Sequence, residues 1–248
     1  MQIDANKCVG CGQCRPFCTM GVINFTRSGK GTKVHCYVDE DECVDCGICY
    51  RAQVCPVEAL HQPLYGWPRS IRGTFSNPLA EHKETRVPGR GTEEMKTNDI
   101  TNRFKRGVAG MAAEMGRPGT GARMREAEKV FKALAKLGVE FEPNNPLTGL
   151  LKDKTTGEMN PEVLNEKVLS AIIEMIIPLD KVIPVLETME RVAEEINTVF
   201  SIDLVARTDE DFSVPTARIM NENNKWFSIN GKINLGLGHM NVKGAGVK

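Results

Sequence analysis

The sequence predicts an α+β protein built of two unlike units joined by an irregular arm, and three observations predict it. All nine cysteines of the 248-residue chain precede residue 56, eight of them in two runs of similar spacing. From residue 104 the apolar residues fall into strand and helix periods in the succession βαββαβ. Between residues 63 and 103 neither period survives, and proline, arginine and aromatic residues are mixed together.

Whole-chain properties narrow the class before any motif is considered. Hydrophobic residues make up 41% of the chain, ordinary for a globular protein able to build a core without disulfides. Thirty-two basic residues balance thirty-two acidic ones, so the chain has no broad basic field of the kind that nucleic-acid binding uses. The N-terminus MQIDANKC lacks the basic and apolar regions of a signal peptide, and the longest apolar run, 171–177, is short and interrupted by Glu174. No membrane span is expected, and the expected compartment is the cytoplasm. In a reducing cytosol, clustered thiols hold metal more readily than they form disulfides.

The first unit covers residues 1–62. Its two runs are Cys8-Val-Gly-Cys11-Gly-Gln-Cys14-Arg-Pro-Phe-Cys18 and Cys43-Val-Asp-Cys46-Gly-Ile-Cys49, the latter completed by Cys55-Pro56. They are copies at an offset of 35 residues, since Asp4, Cys8, Val9, Cys11, Gly12 and Cys14 map onto Asp39, Cys43, Val44, Cys46, Gly47 and Cys49. Three cysteines two residues apart let a tight loop bend round three corners of a four-iron body. Zinc frameworks instead space their ligands as separated pairs. The three-cysteine pattern of a radical-SAM cluster is excluded because position 21 is glycine.

On these residues the segment resembles the bacterial-type two-cluster ferredoxin. The resemblance implies two [4Fe-4S] clusters with crossed ligation, in which each run's last cysteine serves the other cluster. It assigns Cys8, Cys11, Cys14 and Cys55 to the first cluster, and Cys43, Cys46, Cys49 and Cys18 to the second. There are two departures from the family pattern. Thr19 stands where the family has proline, and five residues rather than three separate Cys49 from Cys55. The ninth thiol, Cys36, falls in Val34-His35-Cys36-Tyr37-Val38, whose alternation reads as a hairpin strand with Cys36 packed inward as a small hydrophobe.

The arm, 63–103, carries Pro63, Pro68, Pro78 and Pro88 among Tyr65, Trp67, Phe75, Arg69, Arg72, Arg86 and Arg90. Aromatic and arginine residues anchor interfaces. We expect an extended arm lying on the protein's own surface or on a partner subunit, the alternative being a plain tether. In layout it is similar to the tail that follows the ferredoxin part of adenylylsulfate reductase beta subunits, which embraces a flavoprotein.

The second unit, 104–207, reads in order as follows. A strand is expected over 104–115 and a helix over 122–137, with Val130, Phe131, Leu134 and Leu137 on one face. A short strand at 139–142 and a long polar loop come next. A strand over 168–177 turns Leu169, Ala171, Ile173, Met175 and Ile177 to one side. A helix capped by Asp180 carries Val182, Leu186, Met189, Ala193 and Ile196. A last strand over 198–207 points Phe200, Ile202, Leu204 and Ala206 inward. This order resembles the ferredoxin-like superfold shared by ACT-type domains, which implies an antiparallel sheet with both helices on one face. Residues 208–248 carry a hairpin signal, 226–235, and a glycine-rich tail. The stretch Gly116-Arg-Pro-Gly-Thr-Gly-Ala-Arg123 reads either as an anion cradle formed with Arg117 and Arg123, or as a tight turn in which Thr120 caps the helix.

No flavin or nicotinamide fingerprint and no acid–base pair stands out, so catalysis by the chain alone is not expected. Two clusters without a substrate site point to an electron-transfer subunit of a multi-subunit oxidoreductase. The implied partner is a catalytic subunit, a flavoprotein before a molybdenum or tungsten enzyme, docked through 63–103 and the C-terminal region. Free ferredoxins steer to partners with a strongly acidic face, whereas residues 1–60 hold seven acids and six bases, with a local acidic run only at 39–42. The alternatives are a ligand-responsive redox regulator with an ACT-like sensor, and a free ferredoxin with a docking extension.

Overall fold

The computed structural model describes residues 1–27, 34–89 and 102–228. The N-terminal unit is small and loop-rich. Its elements are β1 (Gln2–Ile3), β2 (Ile23–Arg27), β3 (Val34–Val38), the single-turn α1 (Ile48–Arg51) and β4 (Leu60–His61). β2 and β3 form an antiparallel hairpin with Phe25 opposite Cys36, and β1 pairs with β4, closing the chain back on its start. The core of this unit is made largely of cysteines, with Met1, Ile23, Val38 and Leu60 packed round them.

The arm is not extended throughout. It contains a short helix, α2 (Ser70–Ser76), which buries Ile71, Arg72, Phe75 and Ser76. Ile71 and Phe75, one turn apart, join the core of the C-terminal unit, and the Phe75 ring meets His82 edge-on at 4.7 Å. Arg90 falls outside the described residues.

The C-terminal unit comprises β5 (Val108–Met115), β6 (Ala122–Arg123), α3 (Met124–Ala135), β7 (Glu140–Phe141), β8 (Leu151–Asp153), β9 (Glu158–Met159), β10 (Lys167–Val168), β11 (Ala171–Pro178), α4 (Val182–Ala193), β12 (Phe200–Ala206) and α5 (Pro215–Glu222). Its main sheet runs β12-β5-β11-β7, antiparallel throughout. Ala109, Met111 and Ala113 of β5 and Ile173, Met175 and Ile177 of β11 face Val130, Phe131 and Leu134 of α3 and Val182, Val185 and Met189 of α4. Each such fully buried Val, Leu, Ile, Phe or Met side chain stabilises the fold by about 1.5–3 kcal/mol relative to exposure.

Several expectations are corrected. The first strand begins at Val108, and Ala122 and Arg123 form a strand paired with β10 before α3 starts. Thr120 does not cap α3; Arg123 occupies that position without a side-chain cap. Leu179–Lys181 form a 3-10 turn, so Asp180 lies outside α4, whose N-cap is Lys181. α4 turns Val185 and Val192 inward while Ala193 is exposed. The long loop holds the β8–β9 hairpin, and α5 follows the last strand, its Met220 buried in the main core. The hairpin signal at 226–235 and the tail lie largely outside the described residues; Trp226 and Phe227 carry no strand. Among the described residues no helix is long and apolar enough to cross a membrane.

The two units meet across the acidic run. Arg72, only 5% exposed, donates from Nη1 to the carbonyls of Glu40, Asp41 and Cys43, each at 2.9 Å, and from Nε to the Glu166 carboxylate. Arg123 pairs with Asp41 at 2.6 Å and with Glu42, which also takes Lys167. Arg69 lies over the Tyr65 ring at 4.0 Å and reaches Glu40 at 3.2 Å and Asp45 at 3.1 Å. The Gly119 amide donates to the Thr19 carbonyl at 2.8 Å, and Trp67 Nε1 donates to Glu162 at 2.9 Å. Gly121 permits this closeness: at φ +64° a Cβ would come within 2.8 Å of the Val168 carbonyl and 3.1 Å of Met20 Cε.

Hydrogen bonding from Arg123 holds the Asp41 carboxyl below its ordinary pKa, and hydrogen bonding from Lys167, joined by Arg123, does the same for Glu42 against a burial penalty. Their contribution is complete above the unfolded carboxylate range near 4 and is lost as pH falls through the lower folded values. Limited proteolysis of the arm is therefore expected to show the units parting only below about pH 4. Replacing Arg72 strands three carbonyls and the Glu166 charge. Arg72→Met is expected to cost about 3–5 kcal/mol in denaturant unfolding, and Glu166→Gln less, because the carbonyl contacts survive.

Candidate metal centre

The first thiol set is assembled by a tight loop, a hairpin and the turn before β4. Cys8, Cys11 and Cys14 follow one another round a loop whose Gly10 has φ +69°, where a Cβ would lie 2.5 Å from the Val34 carbonyl oxygen of β3. A side chain there would push the hairpin away, so the first copy has glycine where loop and strand touch, while the second copy has Asp45 at the matching position. Cys55 comes to the same place from the far end of the unit. Cys8, Cys11, Cys14 and Cys55 line one small apolar pocket with Ile3 and Cys36. Cys11 is exposed, Cys55 half-buried, and Cys8 and Cys14 buried.

The second set lies beside it. Burial pushes the Cys49 thiol up to about 12, and the nearby sulfurs of Cys18, Cys46, Cys43 and Cys14 add to the effect. Cys49 thus lies within electrostatic reach of Cys18, Cys46 and Cys43, and of Cys14 of the first run. Cys43 is raised to about 11 by burial and then by Asp45, whose carboxylate stands 3.5 Å from its sulfur. Asp45 keeps its own charge despite burial because Arg69 and the Met1 amino group flank it. Cys46 packs with Met20 and Val44, and Leu169 of the C-terminal unit closes over that patch.

Backbone amides point at the sulfurs. Gly10 and Cys36 donate to Cys8 Sγ at 3.5 and 3.3 Å, Val22 to Cys18 Sγ at 3.3 Å, and Ala59 to Cys55 Sγ at 3.2 Å. At Cys55 burial opposes ionisation, yet the amides of Ala59, Val57, Leu60 and Glu58 outweigh it and draw its pKa below the ordinary thiol value. Amides aimed at sulfur, apolar walls and four thiols to a set are what a ligated iron–sulfur group requires. Among the described residues no three His, Cys, Asp or Glu side chains close on one point as a single ion demands. The thiols of the first set stand round a space instead.

The arginines of the 116–123 loop are spent within the protein. Arg117 donates to the carbonyls of Glu114 and Gly116 and to Ser201 Oγ, and Arg123 donates to the Asn165 carbonyl as well as to its carboxylates. The loop is a turn that docks the two units. Sequence reasoning missed Thr19 and Asp45 as neighbours of the thiols. The Thr19 hydroxyl lies 3.4 Å from Cys46 Sγ, and its departure from the family's proline was the available signal.

Residues 7–59 match the family described as the 4Fe-4S dicluster domain. The chain is 36% identical over 58 residues to an uncharacterised ferredoxin of Methanocaldococcus jannaschii, covering 23% of this chain and 70% of that protein. It is 40% identical over 58 residues to pyruvate synthase subunit PorD of Methanothermobacter marburgensis, covering 23% of this chain and 58% of that protein. No solved structure matches the chain at a significant level. Through this N-terminal segment, with its converging thiols, the chain belongs to the ferredoxin family of 4Fe-4S electron-transfer proteins.

Proposed function

We propose that this protein is the iron–sulfur electron-transfer subunit of a multi-subunit oxidoreductase, relaying single electrons through two [4Fe-4S] clusters to or from a catalytic partner. In this reading Cys8, Cys11, Cys14 and Cys55 hold one cluster, and Cys43, Cys46, Cys49 and Cys18 the other. The observation that carries it is the convergence of Cys55 on the first run's pocket while Cys18 lies among the second run's sulfurs. Each cluster supplies a reversible one-electron couple. The protein's own residues fix the ligand sulfurs, direct amides at them and keep water from Cys8, Cys14, Cys43, Cys46 and Cys49, leaving Cys11 exposed and Cys18 and Cys55 partly so.

The similarity to a subunit of pyruvate synthase supports membership of an oxidoreductase complex. The acidic run, which on a free carrier would steer partners, has carboxylates engaged by Arg69, Arg123 and Lys167 within the chain, and this favours a docked subunit over a diffusing one. The partner we favour is a flavoprotein, with a molybdenum or tungsten enzyme as the alternative, working in the cytoplasm. The C-terminal unit, with its ACT-like order of elements, serves in this reading as a docking body.

Cys55→Ala is expected to lose the cluster held by Cys8, Cys11 and Cys14 and to spare the other. Iron should fall from about eight per chain to about half, with one EPR signal of the reduced protein remaining. Loss of the Cys43, Cys46, Cys49 signal instead would refute the crossed assignment. Native purification is expected to bring down a catalytic subunit in fixed proportion. A monomer that exchanges electrons with several unrelated acceptors would overturn the subunit reading.

A further inference from the structure

The ninth cysteine packs inward as expected, and it does so beside the candidate metal centre. Cys36 sits on β3, 1% exposed, and lines the same pocket as Cys8, Cys11, Cys14 and Cys55. The hairpin delivers it there because Phe25, directly across the ladder, lies against the Cys8–Cys14 loop, where its ring tip would be 2.8 Å from a Cβ at Gly12. The main chain of Cys36 already serves the site, donating its amide to Cys8 Sγ at 3.3 Å. Its side chain faces the same pocket as the Cys8 and Cys14 sulfurs. The second copy of the duplication has no equivalent, since position 71, offset 35 residues from Cys36, is Ile71 in the arm.

We infer that Cys36 is a positioning residue of the first cluster, whose thiol in the same pocket donates a hydrogen bond to the Cys8 sulfur and raises that cluster's reduction potential relative to the second. This rests on the two-cluster reading above. The physical reason is electrostatic. Reduction adds one negative charge to the group held by these sulfurs, and a donor aimed at a ligand sulfur stabilises the more negative state. An S–H donor is weak, but in an apolar pocket it is not diluted by water. One duplicated sequence would thereby carry two unequal sites, with the inequality set by a residue outside both ligand runs.

The test is redox titration followed by EPR on the full chain carrying Cys36→Ala, Cys36→Val and Cys36→Ser, the two signals being assigned with Cys55→Ala. The alanine and valine variants are expected to retain full iron and to make the first cluster about tenfold harder to reduce, about 59 mV for a one-electron couple. The second cluster should stay unchanged, and serine, which keeps a donor, should recover most of the shift. Unchanged potentials in iron-replete variants, an equal shift at both clusters, or a serine variant indistinguishable from alanine would each overturn the inference while leaving the electron-transfer reading intact. Loss of the first cluster in all three variants would overturn it too, by making Cys36 a structural or ligating residue. A wild-type protein that binds iron but shows no reversible one-electron reduction would instead remove the reading on which the inference stands.

Discussion

A single buried guanidinium ties the molecule together. Arg72 comes from a seven-residue helix in the arm, takes three carbonyls of the loop leading into Cys43, and closes on Glu166 of the C-terminal unit. A planar fork with several fixed donors can satisfy diverging acceptors at once, which a lysine could not. Because the group is buried, each acceptor also depends on it: an unpaired carbonyl or carboxylate there would pay its full desolvation penalty. The loop bearing Glu40, Asp41 and Cys43 is therefore held by residues distant in sequence, and its geometry is set by the junction as much as by the cysteine run itself.

The same economy of charge runs through the thiol sites. Packing several sulfurs into an apolar shell raises the pKa of Cys14, Cys43 and Cys49 well above the ordinary thiol value, burial being the leading cause in each. As bare thiols these residues are neutral at physiological pH, and only a strongly bound cationic centre compensates the deprotonation that ligation demands. Amides aimed at Cys8, Cys18 and Cys55 supply part of the compensation in advance. Folding and cluster binding are coupled in consequence, since the N-terminal unit has little apolar material apart from its cysteines and the residues that touch them.

Much of this was legible in the sequence, for identifiable reasons. Cysteine spacing is a chemical signal that no propensity overrides, so the ligand candidates could be read by number. β11 and α3 were readable because long elements with one buried face show their period. The helix α2 was not, although Ile71 and Phe75 stand at helical spacing, because Gly73 and two serines dilute its propensity and its length gives a period no room. The hairpin of β8 and β9 has strands of two and three residues, too short for alternation to register. Partnerships made across the fold were beyond reach. Nothing in the order of residues says that the acidic run 39–42 meets Arg123 and Lys167, or that Asp45 lies between Arg69 and the chain's own amino group.

Thr19 has a further consequence. Its carbonyl accepts the Gly119 amide of the C-terminal unit while its hydroxyl touches Cys46 Sγ. One residue thus has its main chain in a domain junction and its side chain at a ligand sulfur. The 116–121 turn and the Cys46 sulfur are separated by a single residue. Proline at this position would offer the carbonyl but no hydroxyl, so the departure from the family pattern lets one residue join the contact between the two units to the Cys46 sulfur.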